Sequence, residues 1–439
     1  MSAQAAASLR PLGHRNFALL WSASLVSNVG SWMQTVAVGA LVISRTGQAS
    51  WAVLVAAGAF LPIGLLSPLG GALADRMRRK PVLAAGNLAE AVVAAALALL
   101  VGTGHGSPLV LLGLVSVQGS VAALIGPFSA AVLPDLVPQP EFLAAVSLNS
   151  AQWNAGRIIG PALAGATVAA FGYPATFVAN AASFLAVVLA VLLVRLSPPP
   201  GRSESVLASL RCGLAATAAE PACRAAILAI AVVAFVAAPF IALVPAMALH
   251  IAHGATSAVP QATSALTTAQ GLGAVTGALT IAPLAARIGR GPLLGWSLAL
   301  LPAVLGCYAA AGTLWVGVVT MFAVGLVYVG VLSGLSTAVQ LNAPQKYRGR
   351  VNSFFLVALG VSYPIGALLQ GPIADKIGVG WATALSGIVL AAILLLTVLL
   401  RPGFAKVITG RDRPALARFE LPAGSGFAQP QALAAGPEK

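Results

Sequence analysis

Two ionisable side chains stand well inside long apolar runs: Glu90 in Asn87-Leu88-Ala89-Glu90-Ala91-Val92 and Arg157 in Gly156-Arg157-Ile158-Ile159-Gly160. A charge at such depth is costly, so an intramembrane Glu or Arg faces a partner or a cavity and marks an ion or substrate path. A carboxyl group removed from water holds its proton until water or a cation reaches it, which makes Glu90 the candidate for proton coupling. Two structural readings compete with this: a Glu90–Arg157 pair, or a neutral Glu90 held by hydrogen bonds. Other interior groups could touch a small molecule: Asn28, Trp32, Gln118, Asn154, Gln270, Tyr328 and Tyr363. Asn28, Ser31, Trp32 and Thr35 recur at three- and four-residue spacing and share one helix face, with Gln34 off that stripe. Each such group alone also serves to bond one membrane helix to another. With so little interior charge, a cavity made of them suits large, apolar or neutral molecules.

Two further patterns concern motion. After the second apolar run stands Gly71-Ala72-Leu73-Ala74-Asp75-Arg76-Met77-Arg78-Arg79-Lys80. An Asp at a membrane edge among cations can pair with them, or accept hydrogen bonds from the N-terminus of a neighbouring helix, where the helix dipole favours a negative charge. Such a contact can break and re-form. The plainer alternative is a basic anchor that only sets topology. In the fifth run, Gly156, Gly160, Pro161 and Gly165 combine a stripe of small residues, which lets another helix approach closely, with a proline that removes a backbone hydrogen bond and permits a bend. Ordinary helix packing accounts for the glycines equally well.

Chemistry of other kinds finds no support. Cys212, Cys223 and Cys307 have neither disulfide-framework nor metal-ligand spacing. His250-Ile251-Ala252-His253 lacks the Glu and the third ligand of a zinc protease. No enzyme, metal or cofactor is expected, and no filter sequence or ring of pore charges points to a channel.

The elements that must position these residues follow from composition. Of 439 residues, 59% are hydrophobic and 8% charged, so lipid is the solvent for most of the chain. The formal charge of +14 is carried in short clusters between apolar runs, which excludes a nucleic-acid surface. Runs of about 20 apolar residues, enough to cross the bilayer as helix, start at Phe17, Trp51, Pro81, Leu109, Ala144 and Thr176, and again near Ala225, Ala262, Pro292, Leu314, Val351 and Trp381. The first of them serves as the insertion signal, with no cleavable signal peptide before it. Twelve spans put nearly every Lys and Arg outside the spans on one side: only Arg45 and Lys376 fall on the other. By the positive-inside rule both termini are cytoplasmic. The halves look duplicated. Leu73–Leu83 (LADRMRRKPVL) aligns without gaps on Leu284–Leu294 (LAARIGRGPLL), and Gly160 and Gly165 fall on Gly366 and Gly371. The expected organisation is an all-α membrane protein: a six-helix bundle over 1–196, a cytoplasmic linker over 197–224, a second six-helix bundle over 225–401 and a disordered tail over 402–439.

The segment from Gly71 to Lys80 resembles the G-x-L-A-D-R-x-G-R-K loop of the major facilitator superfamily, with Arg78 replacing a glycine that the second copy keeps as Gly289. That resemblance implies two pseudo-symmetric six-helix bundles and alternating access, with Gly71, Asp75, Arg76, Arg79 and Lys80 as a latch joining the bundles on the cytoplasmic side. Gly156 to Gly165 is similar to the glycine-proline motif of the superfamily's exporter branches, which implies packing between the halves. The span 4 pattern R-x-x-Q-G tied to proton coupling lacks its arginine here, reading Val115-Ser116-Val117-Gln118-Gly119. Arg15-Asn16-Phe17, Gly30-Ser31-Trp32 and Arg348-Gly349-Arg350-Val351 resemble the bacterial exporter group that includes the enterobactin exporter and macrolide efflux proteins. The expectation is a monomeric secondary transporter in a bacterial inner membrane, exporting drug-like compounds, siderophores or secondary metabolites against protons. A lipid flippase or importer of the same fold is the alternative.

Overall fold

The computed structural model describes residues 8–196, 214–215 and 217–400. Most of the expected linker and all of the expected tail lie outside the described residues. Among the described residues the chain is helical, with short 3-10 turns and no strand. Eleven helices of the described residues are long and apolar enough to cross a membrane, and one of these is double. Phe142–Leu193 breaks at Gly172, whose φ of 78° and ψ of 173° reverse the chain in a conformation that a Cβ would strain. Pro174, just beyond, suits the first turn of the next helix.

Twelve spans result: α1 Arg15–Thr46, α2 Ala49–Ala74, α3 Arg79–Gly102, α4 Pro108–Leu136, α5 (142–171), α6 (173–193), α7 Pro221–Ile251, α8 Val259–Ile288, α9 Arg290–Ala309, α10 Leu314–Asn342, α11 Arg348–Ile377 and α12 Val379–Leu400. These starts lie within a few residues of those read from the apolar runs. The largest difference is at α7, which begins at Pro221 behind the cap residue Glu220, so residues 221–224 of the expected linker are helix. α7 also tightens to a 3-10 turn at Ala238–Ile241, where Pro239 supplies no amide hydrogen.

The arrangement is two bundles with one seam. In the first, an apolar cluster near the Arg76–Lys80 loop gathers Phe17, Leu83, Phe128 and Val191 from α1, α3, α4 and α6. A second cluster, toward the opposite end, gathers Leu41, Val55, Leu97, Leu111 and Phe177. We call the loop's side the basic end and the other the far end. The core of the second bundle runs through α7 to α12 and takes in Ala40, Ile43, Ala49 and Val53 of α1 and α2. All four belong to the far ends of their helices, so there the bundles share one core.

Candidate functional site

Inside the first bundle five polar side chains form one chain. Glu90 of α3 is hydrogen-bonded to Gln118 of α4. Gln34 of α1 donates to the Gln118 side-chain oxygen, and Asn180 of α6 donates to Gln34 Oε1 at 2.8 Å. Ser183 Oγ closes the series on Asn180 Oδ1 at 3.1 Å. Gly30 makes room for the far end of this chain, since a Cβ there would stand 2.6 Å from Asn180 Oδ1. Glu90 is 2% exposed, and its Oε2 is buried without a partner. The proposed pairing of Glu90 with Arg157 is not formed: the acid is taken up by α4 and the base faces the other bundle. Gln118 is thereby a member of the bundle interior. Gln34, off the polar stripe of α1, is its hub.

At the seam, Arg157 stands near the middle of α5, within electrostatic reach of Tyr328 on α10. Tyr328 in turn interacts with Tyr363 of α11. Phe240 of α7 meets Tyr328 edge-on at 5.7 Å, and Phe60 of α2 meets Tyr363 in the same way at 5.7 Å. Arg157 Nε and Gln270 Nε2 are buried with no hydrogen-bond partner among the described residues. Pro161 cannot donate to the carbonyl of Arg157 four residues earlier. That carbonyl lies against α8, 2.9 Å from where a Cβ on Gly271 would stand. A lone charge at mid-membrane costs about 2.5–3.5 kcal/mol on insertion scales, and no carboxylate of the described chain offsets it. Asp135 is held by Arg79 at 2.7 Å and Glu141 by His14 at 2.9 Å.

The other substrate candidates divide. Asn28 donates to the Gln152 carbonyl at 3.0 Å and so ties α1 to α5, while Asn154 bonds back to the Ser150 carbonyl of its own helix. Trp32 meets Trp153 edge-on, with ring centroids 5.9 Å apart.

The small-residue stripe of α5 needs correction, because it serves two neighbours. Cβ atoms at Gly156 and Gly160 would strike Asn28 and the Val29 carbonyl of α1, within the same bundle. Only Gly165 and Pro161 face the seam: Ser264 of α8 donates to the Pro161 carbonyl and stands 2.6 Å from a Cβ placed on Gly165. Helical geometry explains the split, since five residues turn the helix through about 140° beyond a full revolution.

The two ends of α2 also differ. At its start, Asp375 of α11 accepts from Ala49 N at 2.5 Å, from Ser50 N at 3.2 Å and from Ser50 Oγ, capping a helix of the other bundle through its free amides and dipole. Midway, a Cβ on Gly64 would stand 3.0 Å from the Gly360 backbone. At Gly71 it would meet open space. Of the loop residues, Arg79 binds Asp135 and Lys80 donates to the Leu192 and Val194 carbonyls at 2.7 and 3.0 Å, all inside the first bundle. Asp75 is exposed at the end of α2. Asp375 was not legible as a site, because nothing in the sequence says which helix start it reaches.

Twelve membrane-spanning helices in two bundles, meeting at a polar, aromatic seam, define a multi-pass membrane transporter. Residues 6–420 match the family described as transmembrane secretion effector, one of the major facilitator families, and the chain belongs to it. It is 27% identical to the enterobactin exporter EntS of Escherichia coli O127:H6 over 87% of this chain and 92% of that one. It is 26% identical to the multidrug efflux pump Tap of Mycolicibacterium fortuitum, over 82% and 89%. Among solved structures, a bacterial homologue of the lysosomal transporter Spinster in an inward-facing, unoccupied conformation superposes with a TM-score of 0.67 at 16% identity, over 92% of this chain and 99% of that one.

Proposed function

We propose that this transporter exports small molecules from the cytoplasm of a bacterium across its inner membrane, by alternating access and in exchange for protons. The carrying observation is that the contacts joining the bundles run from mid-membrane to the far end, ending in the Asp375 cap on α2, while Gly71 at the basic end has open space beside it. With the basic loops in the cytoplasm, this conformation faces inward and is ready to load. In the alternate state, Gly71 would let α2 close on its neighbour across the seam, and Asp75 with Arg76, Arg79 and Lys80 would secure the cytoplasmic end. The direction of transport follows the named functions of EntS and Tap.

Glu90 is the proton carrier of this reading, since it is the buried carboxyl group of the described interior and its Oε2 has no partner. The chain through Gln118, Gln34 and Asn180 would report its charge to α1, α4 and α6. The test is substrate-driven collapse of a pH gradient in inside-out vesicles, with a panel of macrolides, cationic drugs and acidic aromatic compounds, for the native protein and Glu90→Gln. The expected result is proton release with the native protein and its loss in the variant. Uptake without proton movement would remove the antiport step, and movement in the opposite direction would make the protein an importer.

A further inference from the structure

The seam holds a positive charge that no described residue neutralises. Arg157 has no hydrogen bond and no carboxylate partner among the described residues, and its Nε is sealed from solvent. The acids of the described chain are engaged or distant: Glu90 on Gln118, Asp135 on Arg79, Glu141 on His14, Asp375 on the start of α2, and Asp75 and Glu220 at helix ends. A guanidinium kept at mid-membrane without a counter-charge is a group waiting for one, because its planar fork of donors matches an oxyanion in two-point fashion. Tyr328, within electrostatic reach of it, adds a hydroxyl.

The surroundings specify the rest of the ligand. Trp153 lies one helical turn before Arg157 on the same face of α5, on the side of the basic end, and is 58% exposed. Trp32 packs against it edge-on. An anionic head at Arg157 therefore leaves an aromatic or apolar body against two indole rings.

Resting on the export reading above, we infer that Arg157, with Tyr328, is the recognition point for the anionic group of the transported molecule, and that the substrates are small organic acids with an aromatic body. This departs from the expectation of large, apolar or neutral substrates, because the interior charge of Arg157 has no counter-charge among the described residues.

Three probes of one skeleton test it: 2-naphthoate, 2-naphthamide and 2-naphthylmethylammonium, titrated calorimetrically into the purified full-length protein near neutral pH. Naphthoate should bind about tenfold more tightly than the amide, with the ammonium weakest. Arg157→Gln should erase the difference between acid and amide, whereas Arg157→Lys should keep part of it. Trp153→Ala should weaken acid and amide alike. Tyr328→Phe, which removes one hydroxyl, should narrow the preference and serves if Arg157→Gln does not fold. The inference is overturned if naphthoate does not bind at millimolar concentration, if amide or ammonium binds as well, or if the preference survives in Arg157→Gln. Vesicle transport separates this from the export reading. Naphthoate binding that depends on Arg157, without any outward transport, would end the export reading and leave the subsite. Export of neutral or cationic compounds that is indifferent to Arg157→Gln would do the reverse.

Discussion

Gln34 and Gln270 are both glutamines in the middle of membrane-spanning helices, 4% and 3% exposed. Gln34 is bonded through both ends of its amide, to Gln118 and Asn180, whereas Gln270 Nε2 has no partner. The same contrast separates Glu90, bonded to Gln118 in the chain of the first bundle, from Arg157 at the seam, which has no carboxylate partner among the described residues. Polar groups within a bundle can be satisfied permanently, since the helices around them move as one body. On the alternating-access reading proposed above, polar groups at the seam exchange partners between states, so one state leaves some of them without a partner.

The comparison can be broken by substitution. Gln34→Leu should have the largest effect on stability, destabilising the protein by about 2–3 kcal/mol, because it removes two hydrogen bonds and strands Gln118 and Asn180. Thermal unfolding in detergent measures this, and an unchanged midpoint would mean that the chain is not the structural core described. Asp375→Asn should act less on stability, about 1 kcal/mol, but in a directed way: it weakens the far-end closure. Labelling of a cysteine placed at Ser50 should rise several-fold with membrane-impermeant reagents applied from that side. Gln270→Leu should leave the unfolding midpoint unchanged or raise it slightly, since no bond is lost, while reducing transport. A drop as large as that of Gln34→Leu would show that Gln270 has a partner in the state that dominates in solution. Gly71→Ala should be the mildest, silent in unfolding because its side is open here, yet slowing turnover if α2 must close there. Equal turnover would remove Gly71 from the proposed latch.

The helices themselves were legible because lipid imposes a simple rule: every backbone polar group must be satisfied within the span, so length and apolarity alone mark twelve segments. The α5–α6 boundary is a good instance, where Gly172-Tyr173-Pro174 reverses the chain with no polar loop at all. The site was legible only as a set of residue types. Glu90, Arg157, Tyr328 and Tyr363 stand out as polar or charged groups in apolar runs, but whether Glu90 met Arg157 or Gln118 depended on how α3, α4 and α5 rotate about their axes.

What the sequence determined by itself is therefore the membrane class, the number of spans and the short list of groups able to carry charge inside them, since these depend on local composition and the thickness of a bilayer. Tertiary structure decided the partners. It set the Glu90–Gln118–Gln34–Asn180 chain in one bundle, gave Gly156 and Gly160 to α1 and Gly165 to α8, and brought Asp375 to the start of α2. It also left Arg157 without a counter-charge among the described residues. Each of these outcomes turns on the relative rotation and height of packed helices, to which a pattern of apolar residues around nearly the whole circumference is almost blind.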